Sequence, residues 1–361
     1  MSDFVDEFSP FAQASFQELL EQLSTPGEDV AEAWPADHLQ AMAATGVATW
    51  DIPTAWNGRE LPPGQMLEGL RQLASASLVS TFIWTQRSAA VRRIATSTNS
   101  AAQNLLLPQL RDGAIFATVG ISHLTTSGQH LAKPLVEVRP ADNGYELHGL
   151  VPWSTGATKA DVLVTGGTLD DGRQILAAIP TDRPGLDVQP PMQLMAMNAS
   201  QTGAVQLNGV RISADEVLHG PVERVMQQGT GGGAGSLGTS ALAIGAAAGT
   251  IRGMQAEATK RPNLQEYIKP LQAEHDALLT ELRQAIAGEH PSGQASEQIR
   301  QQANSLVMRS AQAWLAATKG AGYIAGHPAE RAVRESMFFL VWSCPQPVLA
   351  ANMQEFACPL R

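Results

Sequence analysis

The chain has 361 residues, of which 44% are apolar and 16% charged, a composition typical of a globular protein and not of a disordered one. Its net charge of −10 argues against nucleic acid or an anionic membrane as a partner. The two cysteines, Cys344 and Cys358, form no framework, which excludes a cysteine-based zinc site and suits a reducing compartment. The first ten residues lack the basic and apolar regions of a signal peptide, so we expect a soluble, cytoplasmic protein.

The first third of the chain has helical periodicity. Apolar residues recur at spacings of three and four from Phe11 to Leu23, which predicts a first helix. Further helices are expected at 35–45, twice between 64 and 96, and at 99–110, where Pro108 breaks the helix near its end. The intervening run 47–53 is expected to be extended.

From residue 114 the apolar period changes to two, which indicates strands. Turn signals at Asn143-Gly144 and Asp171-Gly172 favour a compact barrel or sandwich. Short strands are expected at 115–121, 135–139, 145–151, 161–165, 175–179, 188–189 and 202–207.

Helical patterns return after residue 221. Helices are expected at 222–228, 240–260, 263–288, 292–323, 328–341 and 348–356. The helix at 263–288 has one apolar face, made of Leu264, Ile268, Leu271, His275, Leu278, Leu282 and Ile286. Long helices joined by short turns predict a four-helix bundle. The predicted α+β layout is an N-terminal all-α domain (1–113), a middle small β-barrel or sandwich domain (114–221) and a C-terminal four-helix bundle (222–361).

Two motifs in the glycine-rich run have little support. Residues 233–238 spell the dinucleotide-binding pattern G-x-G-x-x-G, and residues 234–238 approach the G-x-S-x-G pattern of serine hydrolases. Both patterns need a preceding strand, whereas 222–228 is predicted to be helical. The run is therefore interpreted as a flexible connection. No spacing of His, Cys or Glu typical of a metal site occurs, and no metal is expected.

A Trp and a Thr two residues apart, Trp153 and Thr155, stand at the predicted end of a strand. A flat indole beside a hydroxyl can cover an isoalloxazine ring and hydrogen-bond its reactive edge. Most such triplets are ordinary strand residues, so this pattern by itself favours no ligand.

Other segments occur in an order that gives the triplet more weight. They are residues 42–53 with Gly58, 105–113, 120–129, 153–156, 198–202 with 205–210, 261–264 with Leu271 and Gln272, and 320–323 with 328–335. Their order and spacing resemble those of the acyl-CoA dehydrogenase flavoprotein superfamily. Trp153-Ser154-Thr155-Gly156 is similar to the family's "WITN", and Asn198-Ala199-Ser200-Gln201-Thr202 resembles its "R-x-S-x-T".

This resemblance implies bound FAD and gives roles to particular residues. Trp153 is expected to stack on the isoalloxazine and Thr155 to hydrogen-bond its N5 edge, while Ile121 and Ser122 meet the pyrimidine edge. The pyrophosphate and adenosine, in this family usually those of a neighbouring subunit's FAD, are expected to contact Arg261 and Gln272. Close backbone approach to the cofactor is expected at Gly320 and Gly322. A homodimer or homotetramer follows from the same resemblance.

The chain departs from the family where a carboxylate base is expected. The position of the usual catalytic Glu is Ser343, and the alternative base position falls near Thr239. A neutral hydroxyl is a poor general base. Glu335 and Glu355 are other candidates, of which Glu335 is expected to pair with an arginine such as Arg331. His123 lies inside the segment expected to contact the flavin and is the predicted acid/base.

The predicted function is that of an FAD-dependent oxidoreductase acting on a CH–CH group of an acyl thioester or related small molecule, with hydride transfer to flavin N5. A flavin monooxygenase of the same fold, supplied with reduced flavin by a reductase, is one alternative, because it needs no carboxylate base. The other alternative is a catalytically silent flavoprotein or scaffold. A reductase or an electron-transfer protein is a possible partner.

Overall fold

The computed structural model of the chain describes residues 11, 13–24, 33–125, 127, 131, 133–229, 237–290 and 295–358. Within these residues, helices come first, strands follow and helices return, so the predicted fold class is confirmed. None of the helices in this part of the chain is long and apolar enough to cross a membrane. The domain boundaries near 113 and 221 stay predictions.

Five helices precede the strands in the described ranges: α1 (Ala14–Ser24), α2 (Ala36–Ala44), α3 (Pro63–Ala76), α4 (Leu78–Ala95) and α5 (Ser100–Arg111). The predicted stripe of α1 is buried, with Phe16, Leu19 and Leu23 facing inwards. The predicted break at Pro108 is wrong, because α5 continues to Arg111. A proline in the last turn removes few helical hydrogen bonds, while Leu107 and Leu110 beside it are buried.

The segment 47–53, predicted to be extended, instead forms a short 3-10 helix at Val47–Thr49. The fully buried Arg87 of α4 explains the difference. Its Nη2 donates to Ala48 O at 3.1 Å and to Leu110 O at 2.6 Å, so one side chain joins this short helix to the end of α5. Local patterning contains no signal for such a long-range contact.

The strands of the middle region are β1 (Ala117–Val119), β2 (Val136–Ala141), β3 (Gly144–Ser154), β4 (Val162–Thr168), β5 (Gln174–Pro180), β6 (Leu186–Val188), β7 (Gly203–Ser213) and β8 (Val217–Val222). They pair in the order β6-β7-β3-β2-β4-β5-β8, and β1 adds in parallel to β4. One residue pair, Glu137 with Thr168, joins β2 to β4, so the sheet consists of two halves. Leu147 of one half and Leu163 of the other share a core, as expected for a barrel or sandwich.

The prediction of a helix at 222–228 is wrong. β8 pairs antiparallel with β5 up to Val222, and a 3-10 helix follows at Val225–Gln227. Arg93 of α4 holds this segment by donating to Gln228 O and Met226 O. Both glycine motifs lie mostly in 230–236, outside the described residues. A β-α-β dinucleotide site needs parallel strands, and β8 is antiparallel to its partner.

The helices after the sheet are α6 (Leu237–Ala258), α7 (Gln265–Ile286), α8 (Ala295–Gly322, with non-helical backbone at Lys319), α9 (Pro328–Ser336) and α10 (Gln346–Ala357). The predicted face of α7 is buried at Ile268, Leu271, His275, Leu278 and Leu282. α6 packs against α3, α7 and α8, so one core runs through both helical regions. This core ends against the segment that precedes β7, where the candidate site lies.

Candidate functional site

The end of β3 presents an exposed aromatic ring that is followed by two buried residues. The pairing of β3 with β7 shifts between Val151 and Ser154, which is a bulge, and bulges redirect side chains. Trp153 is 47% exposed, whereas Ser154 and Thr155 are buried. A large apolar ring held half out of the sheet offers a flat face for a planar ligand.

The segment Asn198–Ser200 lies directly beside this strand end. It forms a 3-10 helix between Met197 and Gln201, both with positive φ (68° and 46°). Gly156 N donates to Gln201 O at 3.3 Å, and Thr158 Oγ1 donates to Gln201 Oε1 at 2.8 Å. The structure thus brings together two of the motifs found in the sequence, although 42 residues separate Gly156 from Asn198 in the chain.

Buried hydroxyls connect the two segments. Thr155 Oγ1 lies 3.0 Å from Thr202 Oγ1, which lies 2.8 Å from Ser200 Oγ. Thr118 of β1 donates its hydroxyl to Thr155 O at 2.6 Å and fixes the backbone of that residue. Thr155 is therefore held from inside the protein, its backbone by Thr118 and its hydroxyl oxygen by Thr202.

A third predicted segment, which follows β1, packs on the same strand end. At Gly120 a Cβ would lie 2.5 Å from Val151 Cγ1 and 3.6 Å from Ser154 Cβ, so only glycine lets β1 end so close to β3. Ile121 follows, and Ser122 begins a 3-10 helix. The Oγ of Ser122 is buried and has no hydrogen-bond partner among the described residues. Buried hydroxyls are nearly always hydrogen-bonded, so this Oγ has capacity for a bond to a ligand or to water.

His123, the predicted acid/base, is a buried residue. Its Nε2 is 2.9 Å from Gly166 O of β4. Burial lowers the pKa of His123, and the hydrogen bond to Gly166 opposes this only in part. The geometry makes His123 an anchor of the loop that carries Ile121 and Ser122.

The lowered pKa of His123 predicts an acid-sensitive fold. Below its ordinary value of 6.5, the unfolded chain binds a proton that the folded chain does not. The free energy of unfolding should therefore be unaffected by this group above pH 6.5 and decrease as the pH falls from there. In His123→Gln, whose amide can still donate to Gly166 O, part of this decrease should disappear. Urea denaturation at several pH values measures it, and an equal decrease in both proteins would contradict the prediction.

One tertiary contact beside the strand end was not predicted from the sequence. At Gly156, which has φ +66°, a Cβ would lie 2.6 Å from the ring of Trp34. Trp34 in turn meets Phe116 edge to face, with ring centroids 5.7 Å apart. Nothing in the local pattern around Trp34 indicates this contact, because it joins the N-terminal region to the sheet.

The turn that carries Ser343 follows α9, and Arg300 fixes its backbone by hydrogen bonds. The guanidinium of Arg300 is buried and donates to Phe339 O and Trp342 O, both at 3.0 Å. Burial lowers the pKa of Arg300 to about 10, so the group is still charged at neutral pH. Ser343 has φ 48°, in the left-handed region that non-glycine residues seldom adopt. Sequence reasoning missed Arg300, which has no motif around it.

An aromatic cluster lies beside the same turn. Phe338 stacks on Trp342 at 4.9 Å, and Phe82 of α4 meets both rings edge to face. These rings pack on the same core as Ala199 of the 198–200 segment. The aromatic cluster beside the Ser343 turn and the 198–200 segment therefore share one core.

Two further acid/base candidates are occupied by other contacts. Glu335 lies 3.9 Å from Arg331, which confirms the predicted ion pair, and burial raises the pKa of Glu335 despite this partner. Glu355 is exposed and accepts a hydrogen bond from Ser305 at 2.7 Å. The alternative base position, Thr239, is a buried residue of α6.

The two residues predicted to contact the pyrophosphate and adenosine, and the two glycines predicted to allow close backbone approach to the cofactor, lie in the helical region after the sheet. Arg261 pairs with Glu257 at 2.7 Å, and Gln272 donates to Asp276 at 2.8 Å. A Cβ at Gly320 would have open space, whereas one at Gly322 would meet the Thr318 side chain. The structure gives them no hydrogen bond to Trp153 or Thr155 among the described residues, and their roles stay predictions.

This arrangement, a sheet that carries an exposed ring between two helical regions, is that of an acyl-CoA dehydrogenase-like protein. A butyryl-CoA dehydrogenase from Megasphaera elsdenii superimposes with a TM-score of 0.79 at 14% identity, covering 96% of this chain and 98% of that chain. The predicted acyl-CoA dehydrogenase-like fold is thus confirmed.

Sequence comparison supports the same superfamily over part of the chain. A probable acyl-CoA dehydrogenase of Bacillus subtilis is 31% identical over 144 residues, which are 38% of this chain and 38% of that protein. A dibenzothiophene monooxygenase of Mycolicibacterium goodii is 30% identical over 117 residues, which are 31% of this chain and 28% of that protein. The matched segments thus span well under two thirds of these relatives. No protein-family model matches the chain.

Proposed function

We propose that this protein is a flavin-dependent oxidoreductase that binds FAD at the end of β3. One observation carries the proposal: the half-exposed Trp153 and the buried Thr155 stand at the end of β3, and the 3-10 helix that begins at Ser122 packs against this strand. A stacking face and hydroxyls at the ends of two neighbouring segments match the faces and edges of an isoalloxazine ring.

The residues of the strand end fit the ring as follows. Trp153 covers one face, and Thr155 directs its hydroxyl to the N5 edge. The backbone of Ile121 and the hydroxyl of Ser122 meet the pyrimidine edge, where donors stabilise the negative charge of a reduced flavin. When bound, FAD supplies a hydride acceptor at N5.

The distal half of FAD belongs to the helical bundle in this proposal. Arg261 and Gln272 contact the pyrophosphate and adenosine of a cofactor in a neighbouring subunit, and both lie at the bundle surface. Gly320 offers open space for close backbone approach, whereas Gly322 is already packed against Thr318. A homodimer or homotetramer is part of the same proposal.

The substrate is a small molecule with a CH–CH group to be oxidised, such as an acyl thioester. The chain places no carboxylate at Ser343 or Thr239, and Glu335 is paired with Arg331. His123 has a neutral imidazole at pH 7 because burial lowers its pKa, which suits a proton acceptor. Its burial beside Gly166 argues against direct substrate contact, so this role is the least supported.

The missing carboxylate favours a second function, that of a flavin monooxygenase. Such an enzyme uses reduced flavin and oxygen, and it requires no base to remove a proton from carbon. The partial similarity to a dibenzothiophene monooxygenase agrees with this alternative. A separate reductase would be its partner, whereas a dehydrogenase would pass electrons to an electron-transfer protein. A third possibility is a flavoprotein that serves only as a scaffold.

Spectroscopy of the purified protein tests these proposals. FAD and FMN are added separately and excess flavin is removed, so that retained flavin can be read from its visible absorption. Anaerobic bleaching by butyryl-CoA supports the dehydrogenase, and its persistence in His123→Gln would remove the proposed role of His123. Oxygen consumption that requires supplied reduced flavin and an added aromatic substrate supports the monooxygenase. A colourless protein that retains neither flavin contradicts both.

A further inference from the structure

Three buried hydroxyls in a row end at the residue that faces the proposed flavin. Ser200, Thr202 and Thr155 are 0%, 7% and 5% exposed. In both hydrogen bonds of the row either oxygen can be the donor. Among the described residues Thr155 Oγ1 has Thr202 as its partner, which leaves a further bond of this hydroxyl for a ligand.

A row made only of hydroxyls can point in either direction. A backbone N–H can only donate and a carbonyl can only accept. If either one bonded Thr155 Oγ1 in place of Thr202, Thr155 could not change between donor and acceptor towards the ligand. Thr202 and Ser200 each both donate and accept. If Thr155 donates outwards, it accepts from Thr202, and if it accepts from outside, it donates to Thr202. Rotation about three C–O bonds converts one arrangement into the other without transfer of a proton.

We infer that Thr202 and Ser200 are positioning residues that allow Thr155 to bond the flavin in both redox states. This inference rests on the proposed FAD site. The N5 atom of oxidised flavin is a hydrogen-bond acceptor, and after it gains a hydride it carries a hydrogen and becomes a donor. Thr155 donates to the first form and accepts from the second, and the row reverses accordingly. The row itself supplies neither electrons nor protons.

Thr202→Val removes the middle hydroxyl at nearly constant shape. Thr155 can still donate to the oxidised form. When it must accept from the reduced form, its own hydrogen has no acceptor, and a buried donor without a partner is unfavourable. We expect the preference for oxidised over reduced FAD to rise about tenfold, which lowers the midpoint potential by about 30 mV for a two-electron couple. Spectroelectrochemical titration of the FAD-loaded protein measures it.

Two variants separate this effect from a general loss of stability. Thr202→Ser keeps a hydroxyl and should restore the potential. Thr250→Val removes a hydroxyl from an equivalent buried pair in the bundle, where Thr250 Oγ1 donates to Ser310 Oγ at 2.7 Å. It should lower the free energy of unfolding by a similar amount and leave the potential unchanged.

The outcomes distinguish the inference from the proposed function. A potential that falls in Thr202→Val, returns in Thr202→Ser and is unchanged in Thr250→Val supports the row. Equal potentials in Thr202→Val and the unmodified protein overturn it while FAD binding stands. An unmodified protein that retains no flavin overturns the proposed function, and the inference falls with it.

Discussion

Replacing Trp153 by leucine is expected to weaken FAD binding about 5- to 150-fold. Stacking of a planar ring on an aromatic side chain contributes about 1–3 kcal/mol, and leucine cannot reproduce the flat face. The indole is already half exposed, so its loss should change the free energy of unfolding little. Equilibrium titration of the apoprotein, followed by quenching of FAD fluorescence, gives the dissociation constant.

Phe356→Leu is the matched control for this change. Phe356 is an aromatic residue of α10 with 55% exposure, and no site proposed above includes it. FAD affinity should therefore be unchanged in this variant. Equal affinities of Trp153→Leu and Phe356→Leu would show that Trp153 does not carry the stacking contact.

The second large effect is expected from Gly156→Ala, which should lower the free energy of unfolding by about 2–5 kcal/mol. A left-handed backbone costs a non-glycine residue about 1–2 kcal/mol. The new methyl group also meets the ring of Trp34 at 2.6 Å, and overpacking of this kind costs about 1–3 kcal/mol. Because Gly156 follows Thr155 directly, FAD affinity should decrease as well. Denaturant unfolding measures the first effect and FAD titration the second.

Gly172→Ala isolates the backbone contribution. Gly172 has φ +85° in the turn between β4 and β5, and a Cβ there would have nothing within 4 Å. The expected loss is the left-handed cost alone, about 1–2 kcal/mol. In a double-mutant cycle, Trp34→Leu should recover the remaining loss in Gly156→Ala. Equal losses at Gly156 and Gly172 would contradict the proposed contact with Trp34.

The sequence predicted regular elements well where one buried face repeats along the chain. α7 and its face from Ile268 to Leu282 are found as expected, because helical spacing alone determines which side chains can be buried together. Prediction from the sequence failed at 47–53 and at 222–228. There, single arginines of α4, Arg87 and Arg93, fix the backbone through long-range hydrogen bonds. Such contacts produce no periodic pattern in the sequence of the segments that they fix.

In the candidate site, too, some residues were predicted from the sequence and others were missed. The order of motifs pointed to Trp153, Thr155, Ile121 and Ser122, and the structure brings their two segments together through Gly120 and the bulge in β3. The roles proposed for these residues await a flavin titration. Trp34 and Arg300 were missed because each acts on a segment more than 35 residues away in the chain, across a tertiary contact.

The sequence by itself determined the order of helices and strands, the superfamily resemblance and the absence of a carboxylate at Ser343, because each depends on residue identity and spacing along the chain. The tertiary structure decided that Trp153 is exposed while Thr155 is buried, and that Thr155 ends a row of hydroxyls. Those facts depend on which distant segments pack against β3. Exposure and hydrogen-bond partners are properties of the packed chain. The same holds for His123, whose burial and hydrogen bond to Gly166 O only the tertiary structure shows.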